Sequence, residues 1–469
     1  MLKGPASVLY GRADPGGLIN IITKQPLDTP RYVIEQQAGS FNFYRTQWDI
    51  SQPVESMPGL AYRFSGAYQT EGSFRAFQGG RHILLAPVVS YRPSNWTEFT
   101  VDTQFLAQTQ QSDTGFPVVA AGPAAIPLSR SFQEPNDPKD KLRNLNIGYT
   151  FKQNLTEDWK VVNRFLSTTP ALKKPNIVGF CADLTFCVDA DGQTLLRSTQ
   201  FQSLAGDTYS TNLDLDGKFD AIGGKHAFLM GLDYLNSYYD YYLASGAGVY
   251  PINMYAPVYG TVPLPAYWDA IAGSAFKLHN SVLTRQKGFY VQDHVTWFDK
   301  LHILVGARYD VADVTIGSST GDFACADPSD PSTCTIPLYN ATKSLAIANR
   351  LASPTALDTA WSPRAGAVYD ILPQLNVYGS YSQSFGVNNG FSASNESFPP
   401  ERGKQWEVGL KSEPLPGSPE LSPSFRSPSP AFSRGTSHRR TSLRKNQLAC
   451  NGVGALNSTL RAASASAVR

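Results

Sequence analysis

The side chains best suited to covalent chemistry are four cysteines set as two close pairs, Cys181 with Cys187 and Cys325 with Cys334. Each pair falls inside one long connection between apolar segments, close enough in sequence to close a small disulfide clip. Such clips belong to an oxidising, exported environment. Four unpaired loop thiols are the alternative that spacing alone leaves open. No histidine or further cysteine pair stands beside them at ligand spacing, so no metal site is expected. Acid–base chemistry has no better footing. Asp293 and His294 are neighbours, so on a strand they point to opposite faces and cannot act as a pair. The other histidines are scattered and no phosphate-binding loop is present. The expectation is no catalytic residue, no metal and no enzyme.

The segments around these residues alternate. Leu145, Ile147, Tyr149 and Phe151 interleave with Asn144, Asn146, Gly148 and Thr150, as a strand with one apolar and one wet face requires. Phe228, Met230, Leu232 and Tyr234 repeat the pattern, as do Leu301, Ile303, Val305, Ala307 and Tyr309. About fourteen strands are expected, near 32–39, 43–52, 60–71, 82–92, 96–110, 140–152, 158–169, 206–220, 226–243, 282–297, 301–313, 360–371, 375–386 and 403–411. Tight joins, such as Phe298 to Lys300 and Leu372 to Gln374, take every second place. The longer connections, at 72–81, 111–139, 170–205, 244–281, 314–359 and 387–402, therefore all fall at one end of an antiparallel meander. Outer-membrane β-barrels sort their loops in this way, with short inner turns and long outer loops. Sandwiches and propellers have no reason to. The fold class expected is all-β: an antiparallel transmembrane β-barrel.

Composition agrees with that scaffold. Of 469 residues only 17% are charged and 12% are aromatic, with a formal net charge of +2, which gives no basic face for nucleic acid. The mean hydropathy of -0.25 is compatible with lipid contact, because only every second strand residue need be apolar. No apolar run approaches the roughly 20 residues of a membrane-spanning helix. Trp48, Trp96, Trp159, Trp297 and Trp361 are expected near the short-turn end as an interfacial girdle. Asp293 interrupts the apolar series Phe289, Val291, Val295, Trp297, so a bulge or a position near the interface is expected there.

Both ends of the chain differ from this body. Ala6 to Tyr10 suits one helical turn, Tyr10 to Gly17 reads as a glycine-rich turn, and Leu18 to Thr23 is an unbroken apolar run of the kind found in a strand buried on both faces. No signal peptide is evident before them. After Glu413 the alternation stops, and residues 414–469, rich in Ser, Pro, Arg and Ala, are expected to be disordered. Either a natural basic tail or a frameshift just after Glu413 accounts for the change.

Four stretches together resemble one family. LKGPASVLYGRADPGGLINIITKQP at Leu2 to Pro26 resembles the end of the plug domain of TonB-dependent ferric-siderophore receptors. GFYVQDHVTWFDKLHILVGARYD (288–310), SPRAGAVYDILPQLNVYGSYSQSFG (362–386) and PERGKQWEVGLKSE (400–413) are similar to its barrel hairpins, in the same order. The resemblance implies a plug remnant at 1–28, a partial barrel at 29–413, about 14 of 22 strands, and a tail at 414–469. It implies a monomer in the outer membrane of a Gram-negative bacterium, in contact with outer-membrane lipid and not with nucleic acid. The ligand would be an Fe(III)-siderophore complex, imported with energy from the TonB complex, with no covalently bound cofactor. The TonB-binding segment and about eight strands have no counterpart in this sequence, so a truncated, non-transporting form is expected.

The same resemblance assigns Gly4, Pro5, Tyr10, Gly11, Gly16, Gly17 and Asn20 to the plug motif, where their work is backbone geometry. Ligand contacts are sought at Tyr238, Tyr239, Tyr241 and Tyr242, and at Tyr255, Tyr259 and Trp268 in the following loop. Aromatic groups there would stack on chelator rings, although girdle or loop packing explains each singly. Phe116, Arg130 and Tyr339 are weaker candidates. Two other readings are a passive outer-membrane channel of about 14 strands and a soluble β-rich scaffold. The buried element ahead of the first strand argues against the channel, and membrane fractionation separates the scaffold from both.

Overall fold

The computed structural model describes residues 2–3, 17–113, 115, 117–119, 122–179, 188–246, 249–261, 276–319, 324–325, 334–335, 356–386 and 401–412. Its main element is a single sheet of 14 antiparallel strands lying in chain order. They are β1 Arg31–Gly39, β2 Phe43–Pro53, β3 Leu60–Gly72, β4 Gly79–Tyr91, β5 Thr97–Gln110, β6 Asp140–Asn154 and β7 Trp159–Gly179. The second half comprises β8 Arg197–Ala221, β9 Gly224–Ser245, β10 Phe276–Trp297, β11 Leu301–Ser319, β12 Ala356–Leu372, β13 Leu375–Gly386 and β14 Glu401–Ser412. Among the described residues there is no helix, and β1 and β14 each pair on one side only.

Connections at one end are short throughout: 54–59, 92–96, 155–158, 222–223, 298–300 and 373–374. The opposite, outer end carries 73–78, 111–139, 180–196, 246–275, 320–355 and 387–400, as the sequence rhythm requires. The sorting has two exceptions. The connection 73–78 is no longer than 54–59 at the other end. Residues 40–42 form a tight turn at the outer end, with Phe41 and Asn42 in the left-handed region at φ 58° and 55°.

Several strands run further outward than alternation alone indicates. β7 continues to Gly179 although Pro170 and Pro175 lie within it. Proline lacks the donor a central ladder needs, and the β7–β8 register indeed skips from Thr168↔Thr208 to Ala171↔Ala205 around Pro170. β8, β9 and β10 are 25, 22 and 22 residues long. Since about ten tilted residues cross a bilayer, roughly half of each of these strands stands beyond it.

Register rows show how the two faces differ. Phe99, Phe151, Asn163, Leu213, Leu232, Phe289, Tyr309 and Trp361 are successive partners across β5 to β12. One residue away along each strand, the adjacent row reads Glu98, Lys152, Val162, Asp214, Gly231, Tyr290, Arg308 and Ser362. Apart from Asn163 the first row is apolar, and much of it is exposed, Leu232 at 55% and Trp361 at 64%. A side that leaves such groups open suits hydrocarbon; the other is polar and self-paired.

The chain's N-terminal segment lies on the polar side. Lys24 Nζ reaches Asp49 Oδ2 at 3.3 Å, Arg63 Nη1 donates to the Gln25 carbonyl at 2.8 Å, and Leu27 N donates to Ser51 Oγ at 2.9 Å. Asp49 also accepts two bonds from Arg63 and one from Ser65. This seat corrects the expectation of a buried strand at Leu18 to Thr23. Only Gly17–Leu18 is strand, paired with Leu2–Lys3, and Ile19 and Ile22 are exposed at 63% and 76%. The backbone that follows bonds to wall side chains instead of a neighbouring strand, so alternating burial has nothing to act on.

The girdle holds in part. Trp96, Trp159 and Trp297 stand at the short-turn end, whereas Trp48 lies mid-strand over Gly66, and Trp361 faces Tyr309 in the outer half of β12. Asp293 is relieved without a bulge, because the β9–β10 register is continuous. It bonds His226 Nδ1 at 2.7 Å, close to the short-turn rim.

Candidate inner face and outer cap

Alternation brings the charges of β7 to β11 onto the inner face. Arg308 and Asp310, two positions apart, share it, and β9 supplies Asp233 opposite Gly288. Arg308 donates to both Asp233 oxygens at 2.5 and 2.9 Å and to Asp310 at 2.8 Å, while Gln286 completes Asp310 at 2.8 Å. Arg164 reaches Asp214 at 2.6 Å, and the Tyr290 hydroxyl donates to the same carboxylate. The guanidinium of Arg308 lies 5.4 Å from the Tyr290 ring centre. Two glycines make this possible. A Cβ at Gly288 would collide with Arg308 and one at Gly231 with Tyr290, so both long side chains lie flat along the wall. Arg308 and Asp310 are fully buried, and removing one partner of such a pair typically costs about 3–5 kcal/mol. The result is a fixed hydrogen-bonding surface in place of an apolar core.

At the outer end, four connections are knit into one cap. Ala124, Phe132, Leu195, Ile252 and Met254 form its apolar centre, with Ile126, Val188 and Tyr259 against it. Arg197, at the start of β8, is its hub. Arg197 donates to the Tyr250 and Phe132 carbonyls at 3.1 and 2.8 Å and to Glu134 Oε1 at 2.8 Å. The other Glu134 oxygen accepts from Gly260 N at 2.5 Å. Arg130 ties the Met254 and Tyr255 carbonyls, Tyr259 Oη donates to the Ser131 carbonyl, and Phe77 meets the Tyr259 ring edge-on. The ladder Thr194–Leu195 with Ile252–Asn253 adds a backbone link. Asp137 is buried beside Glu134, and that burial pushes its carboxyl up to about 7.

The tyrosines sought as ligand contacts are divided by the wall. Tyr238 and Tyr242 share the register face of Leu232, whereas Tyr239 and Tyr241 share that of Asp233. Tyr238, Tyr241 and Tyr242 are buried, and Tyr239 packs on the cluster of Val282, Ala312, Val314, Ala360 and Phe385. Tyr255 is exposed in the cap and Tyr259 half-buried. Gly17 lies in the short N-terminal ladder and Asn20 is exposed. Cys325 and Cys334 are partners in a two-residue ladder. Gly4, Pro5, Tyr10, Gly11, Gly16, Cys181, Cys187, Trp268, Phe116 and Tyr339 lie outside the described residues.

Arg197, Glu134, Arg308 and Asp233 escaped sequence reasoning. Arg308 and Asp310 carried a readable signal, since strand alternation puts both on one side. The distant partners, Asp233 of Arg308 and Glu134 of Arg197, stand 75 and 63 residues away in the chain and carried none.

A two-faced antiparallel wall with tight turns at one end and a looped cap at the other defines the wall of a transmembrane β-barrel. The chain belongs to the TonB dependent receptor-like, beta-barrel family, whose model matches residues 90–419. It is 28% identical over 420 residues to the metal-pseudopaline receptor CntO of Pseudomonas aeruginosa, covering 89% of this chain and 54% of that protein. To the ferrichrome outer membrane transporter/phage receptor of Escherichia coli it is 26% identical over 440 residues, covering 88% and 53%. The chain thus spans about half the length of these curated relatives. The pyoverdine outer membrane receptor FpvA from P. aeruginosa shares the fold, with a TM-score of 0.69 at 20% identity, covering 88% of this chain and 55% of that one.

Proposed function

We propose that this chain forms the wall of an outer-membrane receptor that binds an Fe(III)-siderophore complex and imports it with energy from the TonB complex. Residues 1–28 are read as the end of an N-terminal plug, 29–413 as barrel wall and 414–469 as a tail. The observation that carries this reading is the seat of residues 24–27 on the polar inner face: Lys24 on Asp49, Arg63 on the Gln25 carbonyl and Leu27 on Ser51. An open pore has no use for an internal segment bonded to its wall, whereas a plugged importer does. The names of relatives support the ligand class, since they include receptors for ferrichrome, ferrioxamine B and metal-pseudopaline.

The chain works as a monomer in outer-membrane lipid, with no covalent cofactor, no nucleic acid and no chemistry on its cargo. Tyr238, Tyr239, Tyr241, Tyr242, Tyr255 and Tyr259, with Arg130 a weaker member, are the described candidates for the outer ligand layer, and the alternating amide, hydroxyl and carboxylate groups of the inner face are the path below it. The test is to export the full chain behind a signal peptide and isolate outer-membrane vesicles. Radiolabelled ferrichrome and ferrioxamine B are then offered, and the same material is examined in planar bilayers. Retention of at least one chelate above empty vesicles, with no steady conductance, is expected. Steady conductance without retention would establish the passive channel instead, and recovery in the soluble fraction would overturn both.

A further inference from the structure

The β11–β12 connection contains one described feature, a ladder of two backbone pairs, Ala324↔Thr335 and Cys325↔Cys334. Among the described residues it is a separate two-stranded unit that joins no other strand. A two-residue ladder by itself is too short to hold a hairpin in water, so something beyond backbone bonding has to secure it. The register supplies the means. Directly opposed residues of an antiparallel pair have Cα atoms about 4.5 or 5.5 Å apart, and a disulfide asks for roughly 4.4–6.8 Å. A one-residue slip would instead direct the two Cβ atoms to opposite faces of the ladder. Four loop cysteines allow three pairings among themselves, and Cys325 with Cys334, the two that are described, meets the backbone requirement without movement.

We infer that Cys325 and Cys334 are joined by a disulfide that clips this outer connection. The bond forms by exchange with the disulfide of a periplasmic thiol–disulfide oxidoreductase. One cysteine thiolate attacks a carrier sulfur to give a mixed disulfide, and the second displaces the carrier. The two cysteines lose two protons and two electrons, and the carrier leaves as the dithiol. The clip closes the small loop between Cys325 and Cys334 within the β11–β12 connection.

The test blocks free thiols in the exported full chain and digests it without reductant at aspartates, which cuts before Asp327 and Asp330 and separates the two cysteines. A linked pair of peptides that comes apart on reduction is expected. In Cys325→Ser the Cys334 thiol should become available to alkylation while the states of Cys181 and Cys187 stay unchanged. Material refolded in a glutathione redox buffer serves the same mapping if export fails. Recovery of both cysteines as free thiols from either preparation, or linkage of either one to Cys181, Cys187 or Cys450, overturns the inference. The readout is independent of chelate binding, so its failure leaves the proposed function untouched, and the reverse also holds.

Discussion

At the residue scale, the cap concentrates charge where water is scarce. Glu134, Asp137 and Asp140 are all buried within one short stretch, and among the described residues Arg197 is the cation bonded to Glu134. Asp137 accepts a hydrogen bond from Glu134 N at 3.1 Å, yet burial still holds its proton up to about pH 7. An unfolded Asp137 would release that proton near 3.8. Between those values the folded cap binds the extra proton, so this residue's contribution to stability falls as pH rises and levels off above about 7. At about 1.4 kcal/mol per pKa unit, the loss is on the order of a few kcal/mol. Asp137→Asn keeps an acceptor for Glu134 N and has no proton to lose. Amide exchange over residues 249–261, corrected for intrinsic rates, should accelerate from pH 5 to pH 8 in the parent and less steeply in the variant, where buried Asp140 still titrates at about 6. Equal slopes in the two would remove Asp137 as the cause.

At the element scale, a strand here is a divider between two solvents. Ile147 and Asn146 are consecutive in β6, at the same depth, on opposite sides. Ile147 is 44% exposed on the apolar side, whereas Asn146 bonds Gln104 Oε1 at 3.1 Å on the polar side. An arginine facing lipid near mid-bilayer costs about 2–4 kcal/mol, and one facing a polar interior costs far less. Ile147→Arg is therefore expected to lower the yield of inserted protein and its denaturation midpoint, and Asn146→Arg to leave both near the parent. Heat-modifiable migration on gels and urea titration in vesicles read the two effects. Equal losses at both positions would contradict the assignment of faces.

At the scale of the whole molecule, the sorting of connections gives the wall a direction. Leu128 in the cap is 71% exposed and Ile222 in the opposite turn is 89% exposed, so exposure does not distinguish them. Only sidedness does. On intact cells, a maleimide too bulky to pass outer-membrane pores should label Leu128→Cys above the parent background and leave Ile222→Cys at background until the cells are lysed. Labelling of both before lysis would place the two ends on one side and sink the proposed topology. Beyond direction, the wall has edges. In lipid every backbone group needs a partner, and among the described residues β1 and β14 have one neighbour each.

Sequence by itself determined the number of strands, their order and the sorting of most connections by end. All three follow from local alternation and turn chemistry, which are written residue by residue. It also marked which side of each strand meets hydrocarbon, because a period of two leaves no freedom once one side is apolar. Tertiary structure alone decided where strands end beyond the bilayer. There both faces are wet or loop-covered and alternation fades, so β8 begins at Arg197, nine residues before the expected start. The partners of Arg197 and Arg308 were likewise invisible beforehand, because a salt bridge across 63 or 75 residues depends on register between strands, and register is a property of the assembled sheet.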